Sequence, residues 1–379
     1  MRQLLVVVAA RPNFVKVAPV LAAFAGDQSV RCHVLHTGQH YDWAMSGAFL
    51  EQLAFPAPAF ELGIGSGSHA EQTAAVMVGV ERILKAGSFD AILVPGDVNS
   101  TMAAALAAAK LSVPVIHLES GLRSGDWSMP EEVNRVVTDR VSDLLLCHCD
   151  EAIVNLVAEG IARERIVMVG NTMIDSLLSL LPDARASGAL KRYGLAPRGY
   201  VLVTLHRPAL VDHPGDLHDV IEVLAGVAST LPVVFPLHPR TRARLQPKSA
   251  SLLDELCVLE PLEYFEFVDL EAAARLVVTD SGGVQEETSV LGVPCITYRT
   301  STERPVTVAL GTNRLVGTDP GRLRMACVEE LDHAGGSHRP AGIPLWDGHA
   351  GERAAAAISA FLRAGAPLSC ALSPADGLT

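Results

Sequence analysis

Short apolar runs, each closed by a polar loop bearing glycine or proline and followed by a helical pattern, recur along the whole chain. Residues 4–10, 30–37, 91–95, 113–118, 143–149 and 165–169 read as strands, as do 200–205, 233–237, 256–259, 276–279 and 294–297. A run that is apolar throughout suits a strand buried on both faces, and strands alternating with helices suit a parallel sheet. The expected fold is therefore α/β. A length of 379 residues allows two domains of ~150 residues each. The first domain is expected to finish at 170–172, followed by a connecting helix at 173–181 and a polar, glycine-punctuated boundary stretch at 182–197.

The formal net charge of -12 argues against a nucleic-acid partner, because an anionic ligand has to be met by local arginine, lysine and helix amino ends. No apolar stretch approaches ~18 residues without glycine, proline or charge, so no membrane span is expected. The amino-terminal apolar run is too short for a secretory core. Seven cysteines in apolar surroundings suit reduced thiols and a cytoplasmic location. Cys147-His148-Cys149 reads as part of a strand, and no metal is expected.

Open α/β sheets bind ligands beyond the carboxyl ends of their strands, so the loops there are the candidate sites. Arg11 and Lys16 begin a helix after the first strand, where a positive helix end can meet an anion; a capped surface helix with Asn13 as N-cap fits the same residues. The loops 38–42 and 63–72 are polar and could touch ligand. Asp97 ends the 91–95 strand, beside a helix start where a carboxylate is also a routine cap. The stretch 117–135, HLESGLRSGDWSMPEEVNR, gathers Glu119, Glu131 and Arg135 around a glycine-rich bend. Pro130 suits the first position of a helix, on which Glu131 and Arg135 could also form an ordinary i, i+4 pair. In the second half, His206 and His238 follow strands. Ser281, Gly282 and Gly283 open a helix able to approach a diphosphate, with Glu287 placed for ribose hydroxyls. This glycine pattern is neither a dinucleotide fingerprint nor a Walker motif, so a nucleotide-sugar fits better.

Taken together, the motifs AARPNFVK, GDVNST, HLESGLRSGD, PEEVNR, TLHRP, DSGGVQEE and TERP resemble, in order and spacing, those of the non-hydrolysing UDP-N-acetylglucosamine 2-epimerases. The resemblance runs from residue 1 to about 363. It implies two Rossmann-like doubly wound domains in a GT-B-like arrangement with an interdomain active-site cleft. The first domain would be 1–170, joined by a C-terminal helix at about 350–365, and the second 171–349. It further implies a homodimer, UDP-GlcNAc and UDP as ligands, and no cofactor. The family reaction removes the C2 proton and expels UDP to give a 2-acetamidoglucal, which UDP re-enters as C2 is reprotonated on the other face. The proton-transfer roles fall on Asp97, Glu119 and Glu131, whose crowding is expected to raise at least one carboxyl pKa. Charge neutralisation at the diphosphate falls on Arg11, Lys16, Arg135 and His206. Ser281, Gly282, Gly283 and Glu287 match diphosphate and ribose contacts, and Phe267 the support of the uracil ring. Asn13, Ser120, 98–100 and 209–210 depart from the best-known members, which leaves sugar specificity and activation by substrate open. A hydrolysing variant, a GT-B glycosyltransferase and a silent UDP-sugar-binding protein are the alternatives.

Overall fold

Leu4, Leu5, Val6, Val7 and Val8 are each at most 1% exposed, as the central strand of a two-faced sheet requires. In the computed structural model, residues 1–38, 50, 51, 53–332 and 342–365 are described, apart from the side chains of Arg11 and Pro214. Positions 39–42 of the loop expected to touch ligand lie outside the described residues. The chain divides into one unit formed by Met1–Met173 with His349–Thr379, and a second formed by Ile174–Gly348. The division falls inside the helix Thr172–Ala186, which is longer than the sequence pattern suggests.

The first unit holds seven strands: β1 (Arg2–Val8), β2 (Val30–His36), β3 (Phe60–Glu61), β4 (Ala91–Pro95), β5 (Val115–Leu118), β6 (Leu144–Cys147) and β7 (Ile166–Met168). They lie in the order β3-β2-β1-β4-β5-β6-β7, all parallel. The second unit repeats the plan with β8 (Val201–Thr204), β9 (Val233–Pro236), β10 (Cys257–Leu259), β11 (Leu276–Thr279), β12 (Cys295–Thr297) and β13 (Asn313–Leu315). Their order is β10-β9-β8-β11-β12-β13, again all parallel. Both sheets have the doubly wound order in which the chain reverses direction beside its first strand. The reversal opens a crevice between β1 and β4 in one unit and between β8 and β11 in the other.

Strand periodicity builds the layers. In the second unit Val201, Val203, Phe235 and Val278 face a cluster containing Val220, Ile221 and Leu224 of the helix Pro214–Ala228. The alternate residues Tyr200, Leu202, Val234 and Val277 face Leu270 and Val284 on the opposite side. Each fully buried leucine or valine contributes about 1.5–3 kcal/mol. In the first unit the alanine-rich helix Asn99–Lys110 and the helix His69–Ala86 cover Leu5, Val7, Ile92 and Val94. The C-terminal helix Ala350–Ala364 also belongs to this unit. Arg353 donates through Nε to the Val169 carbonyl at 2.6 Å.

Several local expectations change. Asn13 is not the N-cap of the helix Arg11–Phe24 but its third residue; Ala10 is the cap, and the Asn13 side-chain oxygen accepts from the Ala9 and Ala10 N–H groups. In the 63–72 loop, Ser68 and Glu71 form a reciprocal capping box for the helix His69–Ala86. Cys147 ends β6 and Cys149 caps the next helix, both as buried free thiols. No described helix is long and apolar enough to cross a membrane.

Candidate active site

Two constellations sit at the carboxyl ends of the sheets, one in each unit. In the first, β4 delivers Asp97 and the neighbouring β5 delivers Glu119, on either side of the pairing Pro95↔Leu118. Glu119 lies in the left-handed region, at φ 67. For a non-glycine residue that conformation costs of order 1–3 kcal/mol, and it persists only where the surroundings over-determine it. Here the Glu119 and Ser120 N–H groups both donate to the Leu146 carbonyl at 3.1 Å. The following Gly121, at φ +82, must be glycine twice over, because a Cβ would stand 2.4 Å from the Ala152 carbonyl oxygen.

The carboxylates of this unit face cations. Lys16, from the helix after β1, meets Glu119 at 2.7 Å, with both side chains almost wholly buried. Arg135 donates to Asp97 at 2.6 Å and to Glu132 at 3.0 Å. Glu132 in turn accepts from the Ser124 and Gly125 N–H groups at 2.9 Å. Burial would raise the Glu132 carboxyl, but these bonds and the Arg135 charge hold it below its ordinary value. Glu131, the preceding residue, points the other way and is exposed in the first turn of the helix Pro130–Val141. Arg11 opens its helix after β1; its side chain lies outside the described residues.

Beneath this layer lies a group that sequence reasoning does not single out. His117 and Asp139, both 0% exposed, pair at 2.6 Å through Nδ1. Asp139 also accepts from the Gly121 N–H at 3.1 Å and meets Arg123 at 2.8 Å. Burial alone would raise the Asp139 carboxyl, and His117 and Arg123 hold it below the ordinary carboxylate value. The only hint in the sequence is a polar ring inside an apolar strand.

In the second unit Asp280, at the end of β11, accepts from the backbone N–H groups of His206 (2.9 Å) and Arg207 (2.8 Å), and its other oxygen lies 3.3 Å from His206 Nδ1. It thereby joins the ends of β8 and β11 across the crevice. Ser281 caps the helix Gly282–Leu291 without spending its hydroxyl on the cap, leaving the helix's amino end for an anion. Gly282 gives close approach, since a Cβ there would meet Arg304 Nη1 at 2.5 Å. Arg304 and Arg299 bracket Glu303 at 2.7 and 2.8 Å, and Arg304 also reaches Glu286 at 3.0 Å. Gly283 follows in the first turn. Glu287 is buried and accepts from the Tyr264 hydroxyl at 3.1 Å, three residues before the half-buried Phe267 on the same helix. Beneath Glu287, burial and the charge of Glu287 itself push the Glu271 carboxyl well above its ordinary value.

Burial lowers the His206 pKa, a shift that Asp280 opposes and His238 and Arg207 reinforce. Burial also lowers His36, and His33 with help from Arg31. Each ring is thus depressed relative to an unfolded histidine at about 6.5. In the window between the two values the unfolded chain binds the extra proton, so stability is full above about 6.5 and falls as pH drops toward the folded values. Urea unfolding between about pH 8 and pH 5.5 should show the midpoint falling with pH, and His36→Asn should flatten that slope. An unchanged slope in the variant would remove His36 from the cause.

The sequence model of the UDP-N-acetylglucosamine 2-epimerase family matches residues 22–359. The UDP-N-acetylglucosamine 2-epimerase of Methanocaldococcus jannaschii is 39% identical over 362 residues, 93% of this chain and 97% of that protein. A UDP-2,3-diacetamido-2,3-dideoxy-D-glucuronate 2-epimerase of Pseudomonas aeruginosa is 42% identical over 319 residues, 83% of this chain and 88% of that protein. A crystal structure of the M. jannaschii enzyme in complex with UDP-GlcNAc and UDP matches with a TM-score of 0.83 and 38% identity, over 96% of this chain and all of that one. Two doubly wound units, each with charged side chains gathered at its strand ends, make up the architecture over which these matches run. The chain belongs to the UDP-N-acetylglucosamine 2-epimerase family.

Proposed function

We propose that the chain is a non-hydrolysing 2-epimerase that interconverts UDP-GlcNAc and UDP-ManNAc. The observation that carries this reading is the pair of acids, Asp97 and Glu119, set at adjacent strand ends and each backed by a buried cation. A base removes the C2 proton while the C1–oxygen bond breaks and UDP leaves with the electron pair, giving the 2-acetamidoglucal. In the return step UDP oxygen attacks C1 as a second acid delivers a proton to the opposite face of C2. Asp97, Glu119 and the exposed Glu131 are assigned to these transfers. The sequence of steps is redox-neutral and calls for no hydride cofactor.

In the second unit, the amino end of the helix Gly282–Leu291, with Ser281, Gly282 and Gly283, is assigned to the diphosphate. Glu287 is assigned to the ribose, Phe267 to the uracil and His206 to the departing phosphate. Lys16, Arg135 and Arg11 complete the cation set. The reading takes the enzyme as a cytoplasmic homodimer that supplies activated amino sugar to polysaccharide synthesis, following the family resemblance.

The P. aeruginosa relative favours a second reading, in which the substrate is another UDP-2-acetamido sugar. Incubation in deuterated water with each UDP-sugar tests both. The expected result is deuterium at C2 and the manno isomer from UDP-GlcNAc; exchange confined to the diacetamido uronate would select the second reading. Free UDP rising in proportion to product would indicate hydrolysis, and donor consumption only in the presence of an acceptor glycan would indicate a glycosyltransferase.

A further inference from the structure

The turn that carries Asp97 is bonded through every one of its carbonyls. Pro95 accepts from the Thr101 hydroxyl at 2.7 Å, Asp97 from Asn134 at 2.9 Å, and Gly96, at φ +63, from His117 Nε2 at 2.8 Å. The other ring nitrogen of His117 faces Asp139 at 2.6 Å, and the second oxygen of Asp139 receives the Gly121 N–H and Arg123. His117 therefore stands between two acceptors, a carbonyl and an ionised carboxylate. A neutral imidazole has one N–H, so one of these contacts would set lone pair against lone pair in a site closed to water. The doubly protonated ring satisfies both, with its charge matched by Asp139.

We propose that His117 is a positioning residue: an imidazolium anchored on Asp139 that ties the 95–97 turn to the 119–123 turn and so fixes Asp97 and Glu119 relative to each other. The bonds reach both backbone segments that leave ordinary conformational space, Gly96 on one side and Glu119 with Gly121 on the other. The ring contacts neither acid side chain; it acts through the main chain that aims them. This inference rests on the epimerase reading for its kinetic part and on geometry alone for its protonation part.

The two parts are tested separately. In the unaltered chain labelled with 15N-histidine, NMR across the active pH range should show both His117 ring nitrogens protonated, with the signals assigned by their loss in His117→Gln. An unprotonated ring nitrogen at His117 would overturn the proposal. Glutamine can bond to Gly96 or to Asp139 but not act as a donor to both. With His117→Gln, kcat for C2 exchange should fall about 100-fold, the loss that misplacement of about 1 Å produces. KM and the Kd for UDP should change less than about threefold. Wild-type kcat, or a parallel loss of UDP binding in a folded variant, would overturn the positioning role. If His117→Gln does not fold, Asp139→Asn serves: it should leave the ring with one proton and lower kcat about 10-fold at unchanged KM, while two protons retained with full kcat would refute the clamp. Should the wild type exchange no C2 proton in any UDP-2-acetamido sugar, the epimerase reading fails, and the ring-nitrogen measurement still decides whether the clamp exists.

Discussion

Glu119→Gln should reduce deuterium incorporation at C2 by about 10³-fold, within the range that a positioned acid or base contributes. Glutamine preserves the length and planarity of the side chain, and its amide oxygen can still accept from Lys16, so the 2.7 Å contact has a surviving form. The strained backbone at φ 67 belongs to the 119–121 turn and its bonds to Leu146, neither of which the substitution touches. Only the capacity to take or give a proton at that position is lost. Ser281, Gly282, Gly283, Glu287, Phe267 and His206 of the assigned UDP-binding set sit in the other unit, and the amide oxygen still holds Lys16, so the Kd for UDP should stay within about threefold of wild type. Both quantities can be read on the same preparation, one by NMR of the sugar in deuterated water and the other by calorimetry. Wild-type exchange in the variant would take Glu119 out of the proton-transfer set and leave it to Asp97 and Glu131.

Most of the fold is legible because parallel strands buried on both faces are written as unbroken apolar runs. Two strands escape this rule for a physical reason. β3, Phe60–Glu61, and β13, Asn313–Leu315, are edge strands of two and three residues with polar members, too short and too exposed to leave a periodic trace. The positions of Asp97 and Glu119 are legible because a charged residue that closes an apolar run marks the carboxyl end of a buried strand. The layer below them is not. His117 lies inside such a run and Asp139 near the end of a helix, and nothing local says that they meet across 22 positions. Asp280 and His206 are 74 positions apart and likewise join only through the sheet order, with β8 beside β11. The helical period separates the neighbouring acids Glu131 and Glu132 by burial alone: 132, 135 and 139 share one face, and all three are buried, while Glu131 is exposed.

Lys16→Met should destabilise the chain by about 3–5 kcal/mol, the usual consequence of removing one partner from a buried ion pair. Methionine is close to the lysine stem in size and flexibility, so packing around it is largely kept and the loss is electrostatic. Lys16 and Glu119 are 5% and 6% exposed, so water cannot replace the ammonium beside the carboxylate. Glu119→Gln by itself should cost less, about 1–2 kcal/mol, because the ammonium keeps a neutral acceptor. The double variant then separates the pair from its parts. With both charges gone there is no isolated carboxylate, and Lys16→Met/Glu119→Gln should be more stable than Lys16→Met alone, with a coupling of about 2 kcal/mol in urea unfolding. Simple addition of the two single costs would show that the 2.7 Å contact does not couple the residues. A coupling of the expected size would instead mean that the fold carries the cost of a buried lysine in order to keep an anionic acid at the end of β5, next to the one at the end of β4.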